Sequence, residues 1–156
     1  MLRLIVFSAI VPVSALFLVA CVSRVDIILV VKTNSSDLRA TTKLVMKDIE
    51  ESNGVEMDLS LWDNKETSER GIERWGFEFR GKEKEKVLEW VELDVGARRV
   101  KFIYWEGMRR EHLSSFGKTK MMKFYAAISK YFPEKDVCVM TGENHLREIA
   151  ISVNSC

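Results

Sequence analysis

The chain has 156 residues, of which 47% are hydrophobic and 30% are charged, so it is long and apolar enough to fold as one domain. Residues 1–20 contain a single charged side chain, Arg3, and the rest of the chain carries 23 basic and 23 acidic residues. This composition argues against a disordered chain and against a protein that binds nucleic acid by charge.

The N-terminal segment has the pattern of a secretory signal peptide. Arg3 precedes an uncharged apolar run, Leu4–Ala20, which ends in small residues. This run is short for a helix that spans a bilayer core of about 30 Å, and Pro12 near its middle disfavours a permanent helix. We therefore expect residues 1–20 to be removed. The alternatives are an uncleaved membrane anchor, or a signal cut elsewhere that leaves Cys21 as an ordinary thiol.

The end of this run indicates the kind of signal. Leu18-Val19-Ala20-Cys21 resembles the lipobox of bacterial lipoproteins. The resemblance implies cleavage after Ala20, a diacylglyceryl group on the Cys21 thiol and a third acyl chain on its freed amine. Each buried methylene adds about 0.8 kcal/mol, so several chains anchor a protein stably in a membrane. Val22, where an Asp would retain such proteins at the inner membrane, implies the outer membrane, facing the periplasm.

The three cysteines fit an oxidising compartment. If Cys21 carries the lipid, Cys138 and Cys156 remain as an even pair. A disulfide between them would hold the C-terminus and contribute about 3 kcal/mol through loop closure. Two free thiols are the alternative.

After a short lipidated tether, residues 21–24, we expect residues 25–156 to form a single domain close to the membrane. The first predicted strand is Val25–Val31. A cluster of N-cap residues at 33–36 then predicts a helix that continues to about Ser52.

Two further strands follow this helix. Alternation of apolar and polar residues predicts strands at 55–61 and at 75–79. The polar stretch between them, Asp63–Arg74, is predicted to be a loop.

A β-hairpin is predicted around Gly96-Ala97, which suits a two-residue type II′ turn. This turn places Asp94 opposite Arg99 and Glu92 opposite Lys101, so opposite charges pair across the strands. The same register pairs apolar residues on the other face, Leu93 with Val100 and Val91 with Phe102. Charge and apolar patterns therefore favour one register.

The C-terminal part is predicted to contain a helix, Lys118–Phe132, which ends at Pro133, and two short strands, Val137–Met140 and Glu148–Val153. This order of elements predicts an α+β fold: an antiparallel-rich sheet with two helices packed on one face. It is compatible with an elaborated ferredoxin-like layout.

The motifs offer no catalytic residue, metal ligand or cofactor site. His112 and His145 lack the spacing of a zinc motif and are expected at the surface. Gly117-Lys118-Thr119 matches the end of a phosphate-binding loop, but His112 stands where that loop needs Gly. We therefore expect Gly117 to be a loop residue before a helix.

Two features are candidates for recognition. The hairpin register sets Trp90 opposite Ile103 and Leu88 opposite Trp105, on the face away from the predicted core. If exposed, this tryptophan patch (Leu88, Trp90, Ile103 and Trp105) would mark an interaction site; otherwise another segment covers it as a second small core.

The second feature is charge asymmetry, because residues 37–94 have a net charge of −6 and residues 95–132 of +7. The basic side chains expected to contact anionic lipid headgroups or an acidic partner are Arg109, Arg110, Lys118, Lys120 and Lys123. Mutual neutralisation of the two halves is the alternative.

Together these features predict a lipid-anchored envelope protein that binds a protein partner without catalysis. It would act as an immunity or inhibitor protein, or as an accessory subunit of an envelope assembly. A periplasmic enzyme acting on lipid or cell wall stays open, as does a lipid-binding or structural lipoprotein. A pocket that joins two acids with shifted pKa values would favour the enzyme, and a deep apolar cavity would favour lipid binding.

Overall fold

The computed structural model describes residues 24–33, 37–54, 71–81, 85–108 and 111–156. The strands are β1 (Arg24–Lys32), β2 (Ile72–Arg80), β3 (Lys86–Asp94), β4 (Arg99–Met108), β5 (Val137–Thr141) and β6 (Asn154–Ser155). They form one sheet in the order β2-β3-β4-β1-β5-β6. The predicted signal peptide, the lipobox and the predicted strand at 55–61 lie outside the described residues.

β1 lies at the centre of the sheet, antiparallel to both β4 and β5. The pairs β2–β3 and β3–β4 are also antiparallel, and β6 pairs with β5 in parallel. The sheet is therefore mostly antiparallel within a mixed α+β fold, which confirms the predicted fold class. The strand order β3-β4-β1-β5 is that of a ferredoxin-like sheet, to which β2 and β6 add the two edges.

The first helix, α1, spans Leu38–Asn53. Its buried side chains recur every three or four residues, as expected for a helix with one apolar face; they are Leu38, Thr42, Val45, Met46 and Ile49. Gly54 ends the helix in the left-handed conformation, with φ of +63°, and its N–H donates to the Glu50 carbonyl at 2.9 Å. The predicted end of this helix is confirmed.

The second helix, α2, spans Ser115–Tyr131 and begins three residues before the predicted start. Ser114 is its N-cap, because the Ser114 hydroxyl accepts the N–H of Gly117 at 2.9 Å. The prediction of Gly117 as a loop residue is therefore wrong, since it lies in the first turn of α2. Within the described ranges, no helix is both long and apolar enough to cross a bilayer.

The hydrophobic core lies between the two helices and one face of the sheet. The ring of Phe102 on β4 packs edge-on against Phe124 of α2 and Phe132 just after it, with ring centroids 6.2 and 5.8 Å apart. Side chains alternate along each strand between this core face and the opposite one, called the outer face below.

The β3–β4 register is as predicted, with Glu92 opposite Lys101 and Asp94 opposite Arg99. The chain turns at Gly96-Ala97 as predicted, where the N–H of Arg98 donates to the Val95 carbonyl at 3.2 Å within the loop of residues 95–98. The predicted type II′ geometry is wrong, because Gly96 does not have a positive φ. Arg98, not Gly96, adopts the left-handed conformation, with φ of +48°. The Asp94 carboxylate accepts the N–H of Ala97 at 2.9 Å, which stabilises this longer loop.

Two predicted elements differ in the structure: one loop ends earlier than predicted, and one predicted strand is a turn. β2 begins at Ile72, so the end of the predicted loop Asp63–Arg74 belongs to the strand. The predicted strand Glu148–Val153 is wrong, because a short helix, α3 (Glu143–Arg147), ends there in a turn. In that turn the N–H of Ile151 donates to the Leu146 carbonyl at 3.0 Å. The apolar alternation that suggested a strand reflects side chains that pack on the core from this turn.

The predicted disulfide is confirmed, since Cys138 and Cys156 are bonded with their Cα atoms 5.0 Å apart. The N–H of Cys156 also donates to the Val139 carbonyl at 2.9 Å. These two links hold the last residues of the chain beside β5.

Candidate functional site

The tryptophan patch lies on the outer face of the β3–β4 hairpin. Trp90 is opposite Ile103 and Leu88 is opposite Trp105, as the register predicted. Ile103 is only 7% exposed, whereas the other three side chains are half-buried. The patch therefore has a buried centre surrounded by partly exposed apolar side chains, an arrangement typical of interaction surfaces.

The apolar surface continues onto β1. Ile28 of β1 pairs with Ile103, and the next outer-face residue, Val30, is buried. Asp26 pairs with Trp105 at the end of the sheet where β1 begins. The patch is thus an apolar band across three neighbouring strands.

Ion pairs border the band on the side of the β3–β4 loop. The Glu92 carboxylate lies 2.9 Å from the guanidinium of Arg74 and 3.7 Å from the ammonium of Lys101. Arg99 and Asp94 form a further pair at 3.7 Å. Because side chains on one face of a sheet stand beside their cross-strand neighbours, these charges surround the apolar residues with a polar rim.

A second ion-pair cluster lies at the opposite end of β2 and β3. Glu78 accepts hydrogen bonds from Arg80 at 2.7 Å and from Lys86 at 3.1 Å. These bonds outweigh partial desolvation and lower the pKa of Glu78. The patch is therefore bounded by charged side chains at both ends of the hairpin.

Part of the predicted basic surface is bound to α1. Three lysines of α2 donate to groups in the C-terminal half of α1: Lys120 to Asn53 Oδ1 (2.7 Å), Lys123 to the Ser52 carbonyl (2.7 Å) and Lys130 to Asp48 Oδ2 (2.6 Å). The last turn of α1 contains no basic residue of its own, and a helix C-terminus carries partial negative charge. Only Lys130 pairs with an opposite charge, whereas Lys120 and Lys123 bind uncharged oxygens at the end of α1. Arg109 and Arg110 lie outside the described residues.

The groove between α1 and α2 holds a surface cleft of about 490 Å³. Asp48, Lys123 and Lys130 line it. The hydrogen bond from Lys130 lowers the pKa of Asp48, and the same contact raises the pKa of Lys130. A cleft with these charged walls differs from the apolar cavity that an acyl chain requires.

The two histidines meet at one carboxylate, although they are far apart in the sequence. The Nδ1 atoms of His112 and His145 lie 3.2 and 3.0 Å from the same oxygen of Glu148. The other oxygen accepts the N–H of Leu113 at 3.3 Å. Burial would raise the pKa of Glu148, but the hydrogen bonds from His145, His112 and Leu113 together lower it. The cluster joins the start of α2 to the end of α3.

No group of three or more potential metal ligands is found among the residues that the structure describes. The histidine cluster has one carboxylate for two imidazoles, and His112 is largely exposed. Its geometry suits an ion-pair link between two segments.

Sequence reasoning missed a group of buried acids under α2. Glu89 on β3 and Glu106 on β4 are both 0% exposed on the core face. Tyr104 lies opposite Glu89 and donates to Glu106 at 3.3 Å. Burial, and then the neighbouring carboxylates, raise the pKa of Tyr104. The hairpin register could have revealed this group, because it places Glu89 and Glu106 on the apolar face.

Glu106 is held by the start of α2. Both of its oxygens accept the N–H of Ser114, at 3.1 and 3.3 Å. Gly117 makes room for this carboxylate, because a Cβ at that position would lie 1.9 Å from Glu106 Oε2. The Glu106 carboxylate therefore occupies the space that a side chain at position 117 would need.

No protein-family model matches the chain, and comparisons with curated proteins and with solved structures also give no match.

Proposed function

We propose that the protein is a lipid-anchored bacterial envelope protein, at the outer membrane and facing the periplasm, whose tryptophan patch binds a protein partner without catalysis. The observation that carries this proposal is the apolar band on the outer face, with Trp90 and Trp105 partly exposed inside a rim of ion pairs. Tryptophan is among the residues that contribute most to binding energy at protein interfaces.

The chain length near the predicted lipid supports a position close to the bilayer. Arg24, the first residue of β1, follows Cys21 by three residues, which span at most about 11 Å. Asp26, the partner of Trp105, follows Cys21 by five residues, or about 18 Å at most. A lipid on Cys21 would therefore hold the patch near the membrane, where a membrane-bound partner could reach it.

The enzyme alternative has weaker support. Glu89 and Glu106 are the two acids that a shared site would need, and burial raises the pKa of Glu89 well above its usual range. Both side chains are 0% exposed, however, so a substrate cannot reach either carboxyl group in this structure. Trp90 and Trp105 are partly exposed, which favours binding over catalysis.

The anchor is tested separately from the binding surface. Cys21→Ala should abolish fatty-acid labelling and membrane fractionation in cells that express the full-length chain, because the acylated thiol is lost. If labelling and fractionation persist, lipidation at Cys21 is wrong.

The binding surface is tested by cross-linking in intact cells with full-length protein. Trp90→Ala/Trp105→Ala should lose one specific envelope partner that the unchanged chain captures. The matched control is Leu44→Ala/Met122→Ala, which truncates two side chains that are about half exposed on the helices and should keep the partner. Thermal unfolding of each variant separates lost binding from lost folding.

A partner captured equally by all three proteins would place the binding surface elsewhere. Capture of only lipid and abundant outer-membrane proteins would remove the support for a binding module. The enzyme and lipid-binding alternatives would then deserve a direct assay.

A further inference from the structure

Glu89 is a fully buried acid without a hydrogen-bonding partner. Its side chain is 0% exposed, and within the described ranges neither carboxyl oxygen has a partner. The neighbouring strands place Phe77 of β2 on one side and Tyr104 of β4 on the other. Buried polar groups in folded proteins are normally hydrogen-bonded, so this exception calls for a physical explanation.

Several elements contribute titratable groups around Glu89 and its neighbour Tyr104. α2 contributes Lys120 and Lys123, whose positive charges act on the carboxyl group. β4 contributes Tyr104 and Glu106, and Glu85 lies just before β3; both carboxylates act on Tyr104 together with Glu89. β2 contributes the uncharged rings of Phe77 and Phe79. α1 contributes Asn53, which accepts a hydrogen bond from Lys120.

Burial dominates the protonation of Glu89. Desolvation raises its pKa well above the usual value near 4.5, and the two lysines only partly oppose this effect. An ionised carboxylate without partners is far costlier to bury than a neutral carboxylic acid. Glu89 therefore holds a proton in the folded protein at pH values where exposed glutamates have lost theirs.

Lys120 is the cation that can form an ion pair with Glu89 once Glu89 has lost its proton. Its ammonium group now donates to Asn53 Oδ1 at 2.7 Å and lies 4.1 Å from the centre of the Phe79 ring. Partial burial lowers the pKa of Lys120, while the charge of Glu89 acts in the opposite direction. The flexible stem of a lysine lets its ammonium group exchange one oxygen partner for another within its reach.

We propose that Glu89 is a proton-binding site that controls whether Lys120 stays on Asn53 or turns inward to the Glu89 carboxylate. With the proton bound, Lys120 holds the end of α1 against α2. Without it, Lys120 leaves Asn53, and the end of α1 loses this link. The proposal is independent of the lipid anchor and of the tryptophan patch.

The direction of the pH effect follows from the raised pKa. The folded state binds this proton more tightly than the unfolded chain, so protonation of Glu89 stabilises the fold. This contribution is complete below the unfolded pKa, near 4.5, and is lost as the pH rises through the higher folded value. The link between α1 and α2 should weaken over the same interval.

The test uses the full-length protein in detergent micelles with ¹³C-labelled glutamate, titrated from about pH 4 to about pH 9. One carboxyl signal should titrate at a higher pH than the others and be absent from Glu89→Gln. Glu51→Gln is the matched control, because the Glu51 side chain is 65% exposed on α1; this variant should keep the signal. Lys120→Met should move the titration to higher pH, because the opposing positive charge is removed.

Amide hydrogen exchange measures the coupling to α1. Relative to intrinsic rates, protection at Asn53 and Gly54 should fall several-fold in the unchanged protein as the high-pH carboxyl titrates. Protection should not depend on pH in Glu89→Gln, which cannot lose the proton, or in Lys120→Met, which has no cation to move.

A high-pH signal that persists in Glu89→Gln would assign the proton to another acid and overturn the proposal. So would glutamate signals that all titrate in the usual range. A fall in protection that is the same in Glu89→Gln as in the unchanged chain would overturn the coupling to Lys120.

Discussion

Gly117→Ala tests the packing of α2 on the buried acids. A Cβ at this position would lie 1.9 Å from Glu106 Oε2 and 2.6 Å from Tyr104 Oη. Neither atom can move far, because Glu106 accepts the N–H of Ser114 and Tyr104 is completely buried. The added methyl group must therefore displace the carboxylate or shift the first turn of α2.

The expected loss of stability follows from three effects. Overpacking a dense core costs about 1–3 kcal/mol. Breaking the bonds from Ser114 to the buried carboxylate costs about another 1–3 kcal/mol. Alanine is favoured over glycine inside a helix by about 1 kcal/mol, which offsets part of both. We therefore expect a net decrease of about 1–5 kcal/mol in the free energy of unfolding.

Urea unfolding followed by circular dichroism measures this decrease. Gly96→Ala is the matched control, because a Cβ there would meet its nearest atom at an ordinary 3.6 Å. That variant should differ from the unchanged protein by less than about 0.5 kcal/mol. In a Glu106→Ala background, Gly117→Ala should cost less, since the nearer of the two obstacles is gone and only Tyr104 remains. Equal costs in both backgrounds would refute the explanation.

Three further predictions concern the disulfide, the outer face and the α1–α2 contact. Cys138→Ser/Cys156→Ser should lower the free energy of unfolding by about 3 kcal/mol and remove its sensitivity to reductant, as urea titration with and without reductant can check. Ile103→Ala should lower it by about 2–4 kcal/mol, because that side chain is the buried centre of the patch; a near-neutral result would show that the centre is loosely packed. Lys130→Met should raise the pKa of Asp48 in an NMR titration, because the bond that lowers it is lost. Ionised Asp48 stabilises the fold above its unfolded pKa near 3.8, and this stabilisation is lost as the pH falls through the lower folded pKa. The free energy of unfolding of Lys130→Met should therefore fall less steeply in acid than that of the unchanged protein.

Features that follow from the alternation of side chains between the two faces of a strand could be predicted from the sequence. The register of the β3–β4 hairpin follows from charge and apolar alternation, and this alternation is enough to place Trp90 opposite Ile103. The details of the connecting loop could not be predicted in the same way. The Asp94 side chain stabilises a four-residue loop with Arg98 left-handed, and this local hydrogen bond is invisible to a pattern of alternation.

Contacts between elements distant in the sequence could not be predicted. Lys123 and Ser52 are 71 residues apart, and His112 and Glu148 are 36 apart, so each contact depends on how the helices pack. The apolar residues near Ile151 fitted a strand as well as they fit the turn after α3, because both bury alternate side chains. Local hydrogen bonds, such as that from the Ile151 N–H to the Leu146 carbonyl, identify the turn.

The two proposals concern opposite faces of the same strand, and this makes them separable. Glu89 and Trp90 are consecutive on β3, so the first faces the helices and the second lies on the outer face. Glu89→Gln keeps the size of the buried side chain and should leave capture of the partner unchanged. Trp90→Ala removes outer-face surface and should leave the carboxyl titration unchanged. If Glu89→Gln altered capture, the strand would have to transmit the protonation state from the core face to the patch, and pH would then act on binding.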